Sequence, residues 1–359
     1  MKLSVFLIAS TLCMIGMGYA KDIAQPLQPP FDVNTLLRSP DAESTNFICK
    51  SPPASVKDLT FDGFYKHGSG SSVVDKEAMR KYRTARKPID KFARTIIKMS
   101  DRYLASAESN AAIAQCVFDW LYQWASGRAF LGEVSRQGGY VRKWALGTIS
   151  LAYLKIRKAQ SFDATKQKKI KKWIADWAEI VRDDYSTDIH KSSRNNNHAY
   201  WASWSVGLAG VALNNRSHFD WMVERQHIAM RQIEDDGTLP LEMKRRSKAL
   251  HYHVYSTQVL VMIAALAARN GTNLFGIENG ALHRLIKRTV SGLSNQSYFT
   301  EKTGKKQTWV GRVSGGKLAW MEAYNARFPT SEIKRWIEKY RPMKNRRIGG
   351  NATLLYGVR

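Results

Sequence analysis

From residue 76 to residue 293 the chain places apolar side chains three and four residues apart, segment after segment, and almost nowhere alternates them. That period puts the apolar groups of each segment on one helical face, and it leaves no half-buried strand to build a sheet. The pattern predicts helices near 76–107, 110–126, 141–159, 164–185, 196–213, 218–235, 249–269 and 280–293, separated by Gly, Asn, Ser or Asp. The fold class is therefore all-α. With 359 residues, 44% of them hydrophobic, the chain buries a full core and is too apolar for disorder. No Gly/Ser or Pro-rich linker divides the helices and no fixed repeat is visible, so one domain is expected from residue 21 to 359. Successive helical hairpins can close into an α/α toroid or extend as a solenoid. Spacing alone does not separate the two.

The first twenty residues, MKLSVFLIASTLCMIGMGYA, carry one early lysine, an apolar run, and small residues at Gly18 and Ala20. They read as a secretory leader cut after Ala20, and the expected location is the periplasm, with no stable membrane insertion. Cys13 leaves with the leader. Cys49 and Cys116 remain, and an even count in an oxidising compartment favours a disulfide over two buried thiols. Residues 21–60, with QPLQPPF and KSPPAS, read as an extended arm.

Lysine and arginine total 56 against 30 acidic residues, a net charge of +26. Such a field favours a polyanion: nucleic acid, an anionic membrane or an acidic polysaccharide. Part of it is solvated helix surface, as in TKQKKIKKWIADW. The arginines of KNRRIGG, beside a glycine turn, are better placed to meet an anion.

Four polar features stand out. In NNNHAYW, Asn195 or Asn196 serves as a helix cap, which leaves Asn197 and His198 unexplained. In LPLEMKRRSKALHYHVY, Arg245 and Tyr252 lie seven apart and would share a face of one helix. FYKHGSGSSVV, residues 64–74, reads as a lid loop or a linker. In VRKWALGTISLAYL, Arg142 is a candidate cleft residue and Trp144 a core residue. Other chemistry finds little support. His251 and His253 form an H-x-H pair pointing to different sides of a helix, without a completing ligand set, and no metal site is expected. There is no G-x-S-x-G elbow, P-loop or dinucleotide fingerprint. Asp183, Asp184, Asp235 and Asp236 sit at helix ends and are read as solvent-exposed.

VRKWALG, NNHAYW, KRRSKALHYHVY, LVMIAALAARNG and the late EKTGKK, in that order along the chain, resemble the alginate lyase family of poly(β-D-mannuronate) lyases, polysaccharide lyase family 5. The resemblance implies an α/α toroid with a deep cleft and β-elimination on a polyuronate; beside it, no cofactor, no nucleic-acid partner and a monomer are expected. It places catalytic roles on Asn197, His198, Arg245 and Tyr252, puts Tyr65 in the lid, and matches the family's paired cysteines to Cys49 and Cys116. Lys66, Arg142, Trp201, Tyr255 and Arg347 complete the expected substrate-binding set. One departure concerns the lid: where several relatives carry lysine, this chain has Phe64. Alternatives are a lyase for another polyuronate, of the glucuronan type, or a secreted polyanion binder without catalysis.

Overall fold

The computed structural model describes residues 25–36, 47–66, 73–106, 111–159, 161–186, 195–309 and 312–358. Residues 1–24, where a leader is expected, and residues 67–72 of the expected lid stretch lie outside the described residues.

Helix formation follows the apolar period closely. After one turn in the arm, α1 (Val33–Leu36), come α2 (Lys76–Ala105), α3 (Ala111–Ser126), α4 (Arg136–Ile156), α5 (Ala164–Ser186), α6 (Asn197–Leu213) and α7 (Arg216–Met230). In α2 the buried residues Ile89, Phe92, Ala93, Ile96, Ile97, Tyr103 and Leu104 form a single stripe, and Asp75 caps the helix by accepting from the Ala78 N–H at 2.9 Å. α4 begins five residues before the expected 141. Ser135 caps it at the Gly138 N–H, and Gly138 is pressed against Leu59, whose carbonyl oxygen would lie 1.8 Å from an added Cβ. Two adjacent glycines hid that first turn. α7 stops at Met230, short of the expected 235.

α8 (Pro240–Met243) and a turn lead to α9 (Ala249–Arg269), followed by α10 (Ile277–Ser294). Residues 278–280 have positive φ, so regular helix in α10 starts only after Gly280. Beyond it lie α11 (Ser297–Thr303), α12 (Gly315–Leu318), α13 (Trp320–Asn325), α14 (Ser331–Tyr340), a ribbon pairing β1 (Lys344–Asn345) with β2 (Gly350–Asn351), and α15 (Ala352–Tyr356); of these α14 alone shows the period, with Ile333, Trp336, Ile337 and Tyr340 on one face.

The hub is α6, buried on every side and packed against α4, α5, α7 and α9. Its close approach to α7 requires glycine: a Cβ on Gly207 would fall 2.2 Å from the Met222 sulfur. α9 is the second hub, touching α6, α7, α10 and α13. The stretch Arg246–Arg269 is long and apolar enough to cross a bilayer, yet 83% of its most apolar part is buried inside the fold, as a core helix requires.

The arm is fastened residue by residue. Trp120 and Trp124 donate their indole N–H groups to the carbonyls of Lys50 and Pro53 at 2.6 and 3.0 Å, and Leu59 donates to Glu133 at 2.7 Å. Cys49 is disulfide-bonded to Cys116 across 67 positions of sequence, with Cα atoms 5.7 Å apart. Closing a loop of that length removes unfolded-state entropy worth about 3 to 5 kcal/mol in the chain-entropy description.

Candidate active site

The first turn of α6 opens the site. Asn196 takes the cap, accepting from the His198 N–H at 2.9 Å, which frees the next two side chains from that duty. Asn197 is clamped instead. Its backbone N–H and its side-chain Nδ2 both donate to Oε1 of Glu242, each at 2.9 Å, and its Oδ1 is buried without a partner among the described residues. Glu242 lies in α8 and is 1% exposed. Burial pushes its carboxyl up, while the two Asn197 bonds and the nearby Arg245 charge pull it back.

Arg245 and Tyr252 do meet, for a different reason from the one their spacing suggests. Arg245 precedes α9 and is not part of it. Arg246 adopts φ +52°, a left-handed conformation that side chains other than glycine rarely take, and this reversal turns Arg245 back over the helix. Its Nη2 donates to the Tyr252 hydroxyl at 2.9 Å and its guanidinium lies 4.3 Å from the centre of the Tyr252 ring. Gln307 props the reversal, donating to the Arg246 carbonyl and accepting from the Leu250 N–H, both at 3.1 Å.

His198 is held from one flank and one edge. Tyr140 stacks on it, ring centres 4.0 Å apart and 17° from parallel, and Lys143 Nζ lies 2.8 Å from Nδ1. Lys143 is fully buried and also donates to the Tyr185 hydroxyl at 2.7 Å. Burial holds its ammonium well below the ordinary lysine range; Arg347 pushes the same way and Asp184 opposes.

Arg347 lies near Lys143 and packs on Trp144. Its Nη1 donates to the Tyr255 hydroxyl at 2.7 Å and its guanidinium rests 3.9 Å from the centre of a Trp144 ring. Burial raises the Tyr255 phenol to about 12 despite Arg347. The loop behind is pinned. Lys155, 1% exposed, bonds Asp101 at 2.5 Å and also the Gly349 carbonyl, while the other Asp101 oxygen accepts from the Asn351 N–H at 2.9 Å. Gly349 and Gly350 have φ of +117° and +101°, and a Cβ on Gly350 would sit 2.3 Å from Asp101.

The lid stretch leaves α2 as a short ribbon, with Lys66 donating to Val73 and Asp75 to Phe64, both at 2.9 Å. Phe64 packs against Tyr65 and Tyr82 at ring separations of 4.6 and 4.8 Å. Tyr65 comes near the pair described above: burial raises its phenol, Tyr252 adds to that and Arg245 opposes it. Lys66 is exposed at the ribbon's edge.

Several expectations need correction. Arg142 is 5% exposed and tied to Asp184 at 2.6 Å, so its guanidinium braces α4 against α5 instead of lining a cleft. Trp201 is 1% exposed and supports Tyr255 from beneath, at a ring separation of 5.1 Å. Trp144, expected in the core, is half-buried and carries Arg347. Asp184 and Asp236 are not free solvated ends: the first holds Arg142, and the second accepts from Tyr298 and Thr238. His253 serves structure, accepting from the Leu239 N–H at 2.9 Å and donating from Nδ1 to Ala249 at 2.8 Å. Among the described residues, no three His, Cys, Asp or Glu side chains converge as a metal site.

Sequence reasoning passed over Glu242, Tyr140, Lys143 and Tyr185. One signal was available: Lys143 and Arg142 interrupt a run, VRKWALGTISLAYL, that is apolar over most of its length and leaves little solvent face for a lysine to reach. Glu242 offered none, because its partner is 45 residues away.

The alginate lyase family matches residues 63–299, which contain Tyr65, Lys143, Asn197, His198, Glu242, Arg245, Tyr252 and Tyr255 but neither Gln307 nor Arg347 and its loop. An alginate lyase of Azotobacter vinelandii is 34% identical over 357 residues, 96% of this chain and 94% of its own. One from Pseudomonas syringae pv. syringae is 31% identical over 358 residues, 97% of this chain and 93% of its own. The chain belongs to the alginate lyase family. In three dimensions it is similar to alginate lyase A1-III from Sphingomonas species A1, with a TM-score of 0.78 at 24% identity, covering 92% of this chain and 95% of that one. A tyrosine-to-phenylalanine variant of A1-III complexed with tetrasaccharide gives a TM-score of 0.80 at 23% identity over the same shares. With these relatives the family fold, an α/α toroid, is the fold of this chain.

Proposed function

We propose that the protein is a polysaccharide lyase that cleaves alginate at mannuronate residues by β-elimination. The observation that carries the reading is the Tyr252 hydroxyl held by Arg245 beside a buried Glu242 that clamps Asn197. Elimination must remove the proton at C5, next to a carboxylate whose negative charge resists further charge. Asn197, Arg245 and His198 supply N–H donors to that carboxylate and stabilise the dianion as it forms. Tyr252, as phenolate, takes the C5 proton; the C5–H pair becomes the C4=C5 double bond, the C4–O4 bond breaks, and O4 leaves with the proton from Tyr252. In mannuronate the C5 hydrogen and O4 lie on the same face, so one phenol serves both transfers. In guluronate they lie on opposite faces, and His198 is then the better base. Arg245 donates to the phenolic oxygen at 2.9 Å and holds it in place for both transfers.

Family membership and the tetrasaccharide held by similar A1-III structures support an oligosaccharide substrate. The net charge of +26 suits an anionic polymer. We also place the mature protein in the periplasm, starting at Lys21. Incubation with mannuronan should produce the ultraviolet absorbance of an unsaturated uronate. A protein that binds mannuronan without producing it is a binder, and one that produces it only from glucuronan has another polyuronate as substrate.

A further inference from the structure

We propose that Lys143 is a positioning residue that selects substrate stereochemistry: through its bond to Nδ1 it decides which ring nitrogen of His198 carries the proton. The inference rests on the two roles proposed for His198, donor for mannuronate and base for guluronate.

Lys143 Nζ lies 2.8 Å from Nδ1 of His198. A charged Lys143 has donors only, so Nδ1 must accept, and the ring proton is confined to Nε2. His198 then meets the polymer as a donor, able to mask a carboxylate and unable to take a proton. A neutral Lys143 has one lone pair, which can accept from Nδ1–H while the amine still donates to Tyr185 at 2.7 Å. Nε2 is then bare and basic. A charged Lys143 admits only the first arrangement and a neutral one admits the second, so loss of that proton opens the exchange.

The surroundings keep that choice balanced. Faces of Tyr140, Trp144 and Tyr185 lie 4.6, 5.2 and 4.9 Å from Nζ and favour the cation. Burial and Arg347 disfavour it, and Asp184 favours it from a position already committed to Arg142. Lys143 therefore sheds its proton well below the ordinary lysine range, and the tautomer of His198 follows that proton.

The test compares wild type, Lys143→Met and Tyr185→Phe on mannuronan and guluronan across pH, with 15N spectra of histidine-labelled free enzyme. In wild type the guluronan-to-mannuronan ratio of kcat should rise with pH, as the protonated nitrogen of His198 moves from Nε2 to Nδ1. In Lys143→Met both trends should vanish and kcat on mannuronan should fall by about 10- to 100-fold, as for other supporting partners of a reactive imidazole, with KM little changed. Tyr185→Phe, which leaves the Lys143–His198 bond intact, should keep both trends. A folded Lys143→Met enzyme that retained the wild-type pH trend or the wild-type 15N pattern would overturn the proposal, as would a wild-type tautomer that never changes. Inactivity of wild type on both polymers refutes the lyase reading itself, whereas the 15N spectra report on Lys143 without any substrate.

Discussion

One carboxylate oxygen of Glu242 accepts two hydrogen bonds from Asn197, one from its backbone and one from its side chain, both at 2.9 Å. The contact ties the start of α6 to α8 and aims the Asn197 amide. Glu242→Gln keeps the shape and weakens the acceptor, so turnover should fall by about 10- to 100-fold. Stability carries a second signature. Burial raises the folded-state pKa of Glu242, so its contribution is fully present below the unfolded-state pKa and is lost as pH rises through the folded one. Urea unfolding midpoints should therefore shift in favour of Glu242→Gln, relative to wild type, as pH rises through that range.

Tyr252→Phe removes only the phenolic oxygen that Arg245 contacts. The ring and its packing remain, so the melting temperature should change little. Turnover on mannuronan should fall by at least about 100- to 10,000-fold, the usual contribution of a general acid–base group. Arg245→Ala and Asn197→Ala should each cost about 3 to 4 kcal/mol in kcat/KM, and the double variant less than the sum, since both serve one transition state. Near-normal turnover by a folded Tyr252→Phe enzyme would move the proton transfer to His251 or Tyr255.

Asp101 neutralises Lys155, whose side chain is wholly buried, and both hold the loop that carries Arg347. Asp101→Ala leaves a buried ammonium without its counter-charge and should lower unfolding free energy by about 3 to 5 kcal/mol. Adding Lys155→Met should restore much of that loss. In both variants Arg347 loses its backing, and KM should rise more than kcat falls.

Asp236 reports on acid stability. Burial pushes its carboxyl up, but the Tyr298 hydroxyl, two donors from Thr238 and the Lys302 charge outweigh burial and hold it at about 2, against 3.8 for the free group. A depressed carboxyl stabilises above the unfolded pKa and loses that contribution as pH falls through the folded one. Tyr298→Phe should melt below wild type at neutral pH, and the gap should close as pH falls from about 4 toward about 2.

Tyr252 and Arg245 were paired correctly from their spacing, yet a helical face did not bring them together; the left-handed turn at Arg246 did. Arg142 and Trp201 show the reverse case. Both sit in the right segments, and both point inward, one to Asp184 and the other under Tyr255. Trp144 was placed in the core and instead carries Arg347.

By itself the sequence determined the long helices α2 to α7, α9 and α10, the disulfide partners and the stretches that supply the site, because helical period, capping and cysteine number are local or nearly local properties. Tertiary structure alone decided the clamp of Glu242 on Asn197, the bond of Lys143 to His198 and the backing of Arg347 by Lys155. Each joins side chains 45 to nearly 200 positions apart. Which lysine or glutamate is buried depends on what the rest of the fold packs against it, and a polar group shut away from water must find its partner there.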